Sequence, residues 1–263
     1  MLFFSAFFGA YYASFELVCL AFVLIYIYFK WGFGRRFFYC VGAILLVMAG
    51  LYVNIAPALH YRSDFGVNPS VAARSMGESE IYGLKVSQML LPRADHRSTY
   101  LSGIATTYIK NFPLVNENHT ANLGGIGAIG FLFSFFVIVA LSAGRKVDAR
   151  LALTSALILF LTAFATVGGG AAIFSLLISS QIRGWNRVSI FILFLAIFVF
   201  FFVLNQLSDR YFRGSGFKKC SVLTISVLLF IFAMYDQTTS PCLDCNRRDQ
   251  LVFHKEKRFV EEM

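Results

Sequence analysis

The sequence has little charge and no regular alternation of apolar and polar residues. Asp, Glu, Lys and Arg make up 14% of the 263 residues, whereas hydrophobic residues make up 58% and Phe alone occurs 31 times. With a mean hydropathy of +0.68, this much apolar surface cannot be buried inside a soluble domain of that length, so a lipid bilayer must surround much of the chain. The lack of alternation argues against spanning strands. The sequence therefore predicts spanning helices, which pair their backbone N–H and C=O groups internally.

Recognisable metal and cofactor motifs are also lacking. Gly125-x-Gly127-x-x-Gly130 matches the dinucleotide fingerprint, but no strand precedes it and a membrane span follows. Small residues at this spacing instead predict close packing of spanning helices. No two histidines have zinc-ligand spacing, and the four are scattered: His60, His96, His119 and His254. We therefore expect neither a metal nor a cofactor.

Six apolar runs approach the roughly 20 residues that a spanning helix needs. They are Tyr12–Phe29, Phe37–Ala56, Gly125–Ala143, Leu151–Thr166, Val188–Leu204 and Cys220–Tyr235. The expected fold is an all-α, polytopic transmembrane bundle. Residues 1–56 hold two helices and residues 125–235 hold four, while residues 57–124 form one large loop and residues 236–263 form a tail.

The basic residues predict the orientation of this bundle. The loops Lys30–Arg36, Gly144–Arg150 and Asn205–Lys219 together carry nearly all of the net charge of +9, and excess Lys and Arg marks cytoplasmic loops. Both termini and the large loop are then extracytoplasmic. The charge is explained by topology, so we do not expect nucleic-acid binding.

The large loop is longer than structureless loops usually are, which makes it the first candidate for function. The spacing of apolar residues over Ser79–Leu91 predicts an amphipathic helix on the membrane surface, ended by Pro92. Arg93, His96 and Arg97 follow and would lie where a lipid headgroup lies. Two interpretations stay open: a phosphate-binding cluster, or a solvated charge run beside a helix end.

Carboxylates of the same loop are candidates for general-base catalysis or for orienting a donor. Glu117 precedes the third span within a polar turn, Glu80 lies in the predicted surface helix, and Glu78 directly precedes that helix. An isolated carboxylate also often has a purely structural role.

A triglycine follows the fourth span, at Gly168–Gly170. The sequence allows two structures for residues 168–180: a re-entrant half-helix over Ala171–Ile178, or the end of one long tilted helix. Arg183 and Arg187 come next, with Trp185 between them. Guanidinium groups match phosphate oxygens and tryptophan favours membrane interfaces, so the two arginines are either a phosphate site or interfacial anchors.

The tail contains Cys242-x-x-Cys245. Two cysteines cannot complete a structural zinc site. In an oxidising extracytoplasmic compartment, a local disulfide between them is the favoured interpretation.

Three stretches resemble one family. They are Tyr82-Gly83-Leu84-Lys85 with Leu90-Leu91-Pro92 and His96-Arg97; Gln181-Ile182-Arg183-Gly184-Trp185-Asn186-Arg187-Val188-Ser189; and Tyr235-Asp236-Gln237-Thr238 with Arg258-Phe259-Val260-Glu261. The chain resembles the C-terminal half of bacterial polytopic membrane proteins described as sugar translocases, phosphoglycerol-transferase-like proteins or GT-C-type glycosyltransferases.

The resemblance implies a protein of the bacterial inner membrane that uses a polyprenyl-phosphate-linked sugar, with membrane lipids as its other partners. From their charge and their position at the membrane surface, we expect the phosphate of such a donor to contact Arg183, Arg187, Arg93, His96, Arg97 and Lys85. The catalytic carboxylate of that family lies in an early extracytoplasmic loop that this chain does not show. We therefore expect a partial glycosyltransferase that is inactive alone and lacks N-terminal and C-terminal portions. The alternative is a non-enzymatic lipid-linked sugar flippase or membrane assembly subunit.

Overall fold

The structure, a computed structural model, describes residues 2–66, 68, 74–113, 116–211, 215–239 and 243–261. Within these ranges the chain is helical and contains no β-strand, which confirms the all-α class. The helices are α1 Leu2–Phe8, α2 Ala10–Trp31, α3 Arg35–Phe65, α4 Glu78–Ile81, α5 Val86–Leu90, α6 Thr99–Asn111, α7 Gly124–Ser142, α8 Ala149–Ala165, α9 Gly170–Leu177, α10 Ser189–Tyr211, α11 Ser215–Gln237 and α12 Leu243–Glu261. Short 3-10 helices at Glu117–Thr120 and Trp185–Val188 precede α7 and α10.

Four stretches of the described chain are helices long and apolar enough to cross a membrane: α2, α3, α7 and Trp185–Arg210. The apolar helices α8 and Val222–Gln237 are shorter. These lengths fit an integral membrane protein, while the total of six spans stays a prediction. Several predicted boundaries differ: α3 continues through Pro57 to Phe65 instead of ending at Ala56, α10 reaches Tyr211 instead of Leu204, and α11 begins at Ser215 instead of Cys220.

The centre of the bundle is formed by α7, α8 and α10. Phe131, Ile158 and Ile192, one from each helix, are almost completely buried. A Cβ atom added at Gly130 would lie 2.0 Å from the carbonyl oxygen of Ala196, so only glycine allows α7 and α10 to approach this closely. This confirms the packing role expected for the small residues of α7.

The two ends of the bundle differ in their loops. Phe22 of α2 stacks on Phe160 of α8 at 4.6 Å between ring centroids, while Tyr11 at the start of α2 reaches the segment that follows α9. The short basic connections after α2 and α7 therefore lie at one end. The large loop lies at the opposite end, where it folds over the helices.

The triglycine separates two helices. The first, α8, ends at Ala165, and α9 begins at Gly170 and has only eight residues. Gly168 between them has a φ of +74°, a left-handed conformation that favours glycine. The helix is therefore interrupted at this point, so the structure does not contain the one long continuous helix that was the other alternative.

Residues 74–113 and 116–123 form a cap on this end of the bundle. Its central contact is at Leu84, which is fully buried. The Leu84 N–H donates to the carbonyl of Ala165 at 2.8 Å, and the Val167 N–H donates to the carbonyl of Leu84 at 3.1 Å. Because Leu84 is extended, the predicted surface helix over Ser79–Leu91 is instead two short helices, α4 and α5.

Candidate functional site

Arg183 and Arg187, the two arginines after α9, each face a carboxylate of the cap. The Arg183 Nη1 lies 2.8 Å from Oε2 of Glu78, and the Arg187 Nη2 lies 3.1 Å from Oε2 of Glu117. We call these four residues the Arg183 cluster. Hydrogen bonds from Arg183 and from the Ser75 N–H hold the pKa of Glu78 below its usual range. Arg74 also lies near Glu78, at 3.8 Å from its Oε2. The two ion pairs of the cluster tie the cap to the bundle.

The surroundings of the Arg183 cluster differ from those expected for a shared anion site. The guanidinium of Arg183 lies over the ring of Tyr82 and that of Arg187 over Tyr11. Arg183 precedes the 3-10 helix Trp185–Val188, so the two arginines do not share one face of a helix. Trp185 is fully buried and contributes to the core instead of anchoring at an interface.

Glu80 and Lys85 are also bonded to backbone groups. Oε2 of Glu80 accepts a hydrogen bond from the Gly168 N–H at 2.7 Å, so this carboxylate holds the turn between α8 and α9. Lys85 donates to the carbonyl of Pro113. These contacts give both residues a structural role: Glu80 joins the cap to the turn between α8 and α9, and Lys85 bonds within the cap.

A polar cavity of about 370 Å³ opens at another part of the cap. We call it the polar pocket. Nε and Nη2 of Arg93 form a fork with the two carboxylate oxygens of Asp95, at 3.0 and 3.1 Å, and this contact lowers the pKa of Asp95. The cavity is lined by Arg93, Ala94, Asp95, His119, Thr120 and Asn122.

His96 lies behind this pocket and joins the cap to α11. Its side chain is 1% exposed, and its Nε2 lies 3.5 Å from Oδ1 of Asp236. The Ser98 N–H donates to its Nδ1 at 2.9 Å. Oδ2 of Asp236 accepts from the N–H of Gly125, at the start of α7. Both nitrogens of His96 therefore face protein groups, which places it away from a headgroup at the surface.

An apolar groove adjoins the polar pocket. It has a volume of about 390 Å³ and is lined by α7, α10 and α11, with Asp236 and Gln237 among its lining residues. Nη1 of Arg93 donates to the carbonyl of Gln237 at 3.0 Å, so a residue that lines the polar pocket contacts a residue that lines the groove. A second apolar cavity of about 320 Å³ shares Phe201 and Ser226 with the groove and extends it along α10 and α11.

The structure brings some predicted site residues together and separates others. Arg93 lies in the polar pocket, and Arg97 donates from Nε to the carbonyl of Thr238 nearby. Arg183 and Arg187 belong to the separate Arg183 cluster. Sequence reasoning missed Asp236, although a lone carboxylate at the end of an apolar run was a visible signal. The phosphate-binding roles of the arginines stay predictions.

The predicted disulfide between Cys242 and Cys245 lies outside the residues whose side chains are described. In the described part of the chain, no group of three His, Cys, Asp or Glu side chains is placed to hold a metal ion.

Comparison with known proteins identifies no relative. No family model, no curated protein and no solved structure matches the chain. The resemblance to GT-C-type proteins therefore stays a prediction.

Proposed function

We propose that this protein is a membrane-embedded, GT-C-like glycosyltransferase component that binds a lipid-phosphate-linked sugar at the cap end of the bundle. The observation that supports this most directly is the junction at Arg93. Arg93 lines the polar pocket and also contacts Gln237, which lines the apolar groove. A ligand with a hydrocarbon chain and a phosphate headgroup matches that pair of cavities.

The hydrocarbon tail and the phosphate headgroup of such a ligand contribute differently to its binding. Lipid tails are about as apolar as the side chains of the groove, so moving the lipid tail from the bilayer into the groove contributes little binding free energy. Selectivity must come from the polar end. Within the described residues, the hydrogen bonds of Arg93 use three of its five N–H groups, which leaves two donors for a phosphate oxygen.

Arg183 and Arg187 are the less suitable pair, although the sequence favoured them. Each already contacts one carboxylate. A phosphate bound here would lie beside Glu78 or Glu117, and a carboxylate beside an incoming anion opposes binding. Asp95 opposes binding at Arg93 in the same way, so the feature that distinguishes Arg93 is the cavity that it lines.

The orientation that places the cap outside the cytoplasm is part of this proposal. It is supported by the position of the basic loops at the end of the bundle opposite the cap. A reporter that fluoresces only in the cytoplasm should be bright when fused after Lys146 and dark when fused after Met263. The reverse pattern would place the proposed site on the cytoplasmic face.

The central test is binding of a polyprenyl phosphate to the protein in nanodiscs. A charge-assisted hydrogen bond contributes about 1.5 to 3 kcal/mol, so Arg93→Gln should weaken binding roughly ten- to a hundredfold. Arg93→Lys should restore part of the affinity, because it keeps the charge and loses the fork.

The matched control is Arg150, which makes the same fork with Asp148 at the opposite end of the bundle. Arg150→Gln should leave the affinity unchanged. Equal affinities for wild type and Arg93→Gln would reject the site. Binding without any sugar transfer would favour the flippase or assembly role over the transferase.

A further inference from the structure

His119 gives the polar pocket a basic nitrogen. The Nδ1 of His119 lies 2.7 Å from the carbonyl oxygen of Asn116. A carbonyl oxygen can only accept a hydrogen bond, so Nδ1 carries the proton of the neutral ring. The other nitrogen, Nε2, then has a free lone pair. His119 is exposed and lines the pocket.

The second histidine of the cap has the opposite tautomer. Nδ1 of His96 accepts from the Ser98 N–H at 2.9 Å, so the proton of its neutral ring is on Nε2 and faces Asp236. That ring is buried. His96 can therefore position Asp236, but it cannot offer a base to a ligand. Of these two rings, His119 alone combines a bare nitrogen with access to the pocket.

The side chains beside His119 suit a sugar hydroxyl. Nδ2 of Asn122 is buried and has no hydrogen-bond partner among the described residues, although its residue lines the pocket. An unpaired buried amide is costly unless a ligand or water satisfies it. Arg93 supplies the cation on the same wall.

The carboxylates expected to act as bases are engaged elsewhere. Glu117 pairs with Arg187 and Glu80 accepts from Gly168. Asp95 lies in the pocket, but its fork with Arg93 lowers its pKa and makes it a weaker base.

We infer that His119 is the general base of the polar pocket and accepts the proton of a hydroxyl group on the sugar acceptor. This inference rests on the proposed function, and it replaces the sequence-based expectation that the chain is inactive alone. As Nε2 takes the proton, the acceptor oxygen forms a bond to the anomeric carbon of the donor sugar. The bond from that carbon to the phosphate oxygen breaks, and its electron pair leaves with the lipid phosphate, which Arg93 holds.

The first test needs no ligand. Nitrogen-15 chemical shifts of the imidazole rings distinguish a protonated nitrogen from a bare one. His119 should show a protonated Nδ1 and a bare Nε2, and His96 should show the reverse. A His119 ring protonated on Nε2 at neutral pH would overturn the inference, whatever the protein binds.

The second test separates binding from transfer. With a polyprenyl-phosphate-linked sugar as donor, His119→Ala should lower kcat by about 10² to 10⁴, the usual contribution of a general base. Donor affinity should change less than threefold, and added imidazole should restore part of the rate. His60→Ala removes an exposed histidine of α3 and should leave the rate unchanged.

Each other outcome rejects a specific claim. Failure of the wild type to bind the donor would reject the proposed function. If the wild type bound the donor but transferred no sugar, His119 would not be a general base, and the proposed donor site would stand. The same would follow if His119→Ala transferred sugar at the rate of the wild type. Loss of rate without rescue by imidazole would assign His119 a structural role.

Discussion

Arg93 and Arg183 both pair with a carboxylate of the cap, but the two pairs differ in sequence separation and in surroundings. Arg93 and Asp95 are two residues apart, with side chains 36% and 59% exposed, beside an open cavity. Arg183 and Glu78 are 105 residues apart, with side chains 29% and 18% exposed, and the guanidinium lies over Tyr82. The local pair lies beside an open cavity that could hold a ligand, whereas the long-range pair joins two parts of the fold.

Among the substitutions that test this comparison, one in the core beneath the Arg183 cluster should have the largest effect on the free energy of unfolding. Trp185 is fully buried, with its ring 5.4 Å from Phe15, 5.2 Å from Phe164 and 5.3 Å from Phe174. Truncating a buried Trp typically costs about 3 to 5 kcal/mol. We expect Trp185→Ala to lower the free energy of unfolding in detergent by that order.

Trp31 provides the control for that measurement, because it is 47% exposed at the opposite end of the bundle. Trp31→Ala should have a much smaller effect. If both substitutions reduced stability equally, Trp185 would not be the core residue that its burial indicates, and the separation of a structural cluster from a ligand pocket would be weakened.

Exchanging the two arginines for glutamine tests the comparison directly. Arg183→Gln removes the nearest cationic partner of Glu78 and leaves Arg74 at 3.8 Å, so it should reduce stability by less than Trp185→Ala does. Arg93→Gln should reduce stability less than Arg183→Gln does, because its carboxylate partner Asp95 is local and only its bond to the Gln237 carbonyl reaches α11. It should weaken polyprenyl-phosphate binding. Unfolding and binding are measured on the same nanodisc preparations. If Arg93→Gln reduced stability more than Arg183→Gln did, and Arg183→Gln weakened binding, the roles of the two sites would be exchanged.

Local features of the chain were predictable from sequence, because composition and spacing report on local structure. The apolar helices and the close packing at Gly130 follow from composition and small residues. The break between α8 and α9 was one of two alternatives for the triglycine. In these parts, neighbouring residues determine the structure.

The contacts of the site were not predictable in the same way. Arg93 and Gln237 are 144 residues apart, and Arg187 and Glu117 are 70 apart. Periodicity contains no information about such pairs. The surface helix predicted over Ser79–Leu91 differs for a related reason: Leu84 is extended because its backbone bonds to the end of α8, a tertiary contact that helical spacing cannot reveal.

The smallest expected effect is on the pH dependence of stability. The hydrogen bond from Arg183 holds the pKa of Glu78 below its ordinary value of 4.5 in the folded protein. The stabilisation is then fully present above pH 4.5 and is lost as the pH falls through the lower folded value. Glu78→Gln should flatten this part of a plot of unfolding free energy against pH.

Asp95→Asn sharpens the comparison, because Arg93 also lowers the pKa of Asp95. A lowered pKa affects stability only if the pKa of that group differs between the folded and unfolded states. Arg93 and Asp95 remain two residues apart when the chain unfolds, so part of their interaction persists there. Arg183 separates from Glu78 on unfolding. The loss of stability at acid pH should therefore depend more on Glu78 than on Asp95. If Asp95→Asn changed the pH dependence of the unfolding free energy more than Glu78→Gln did, the assignment of the long-range pair to the fold would be contradicted.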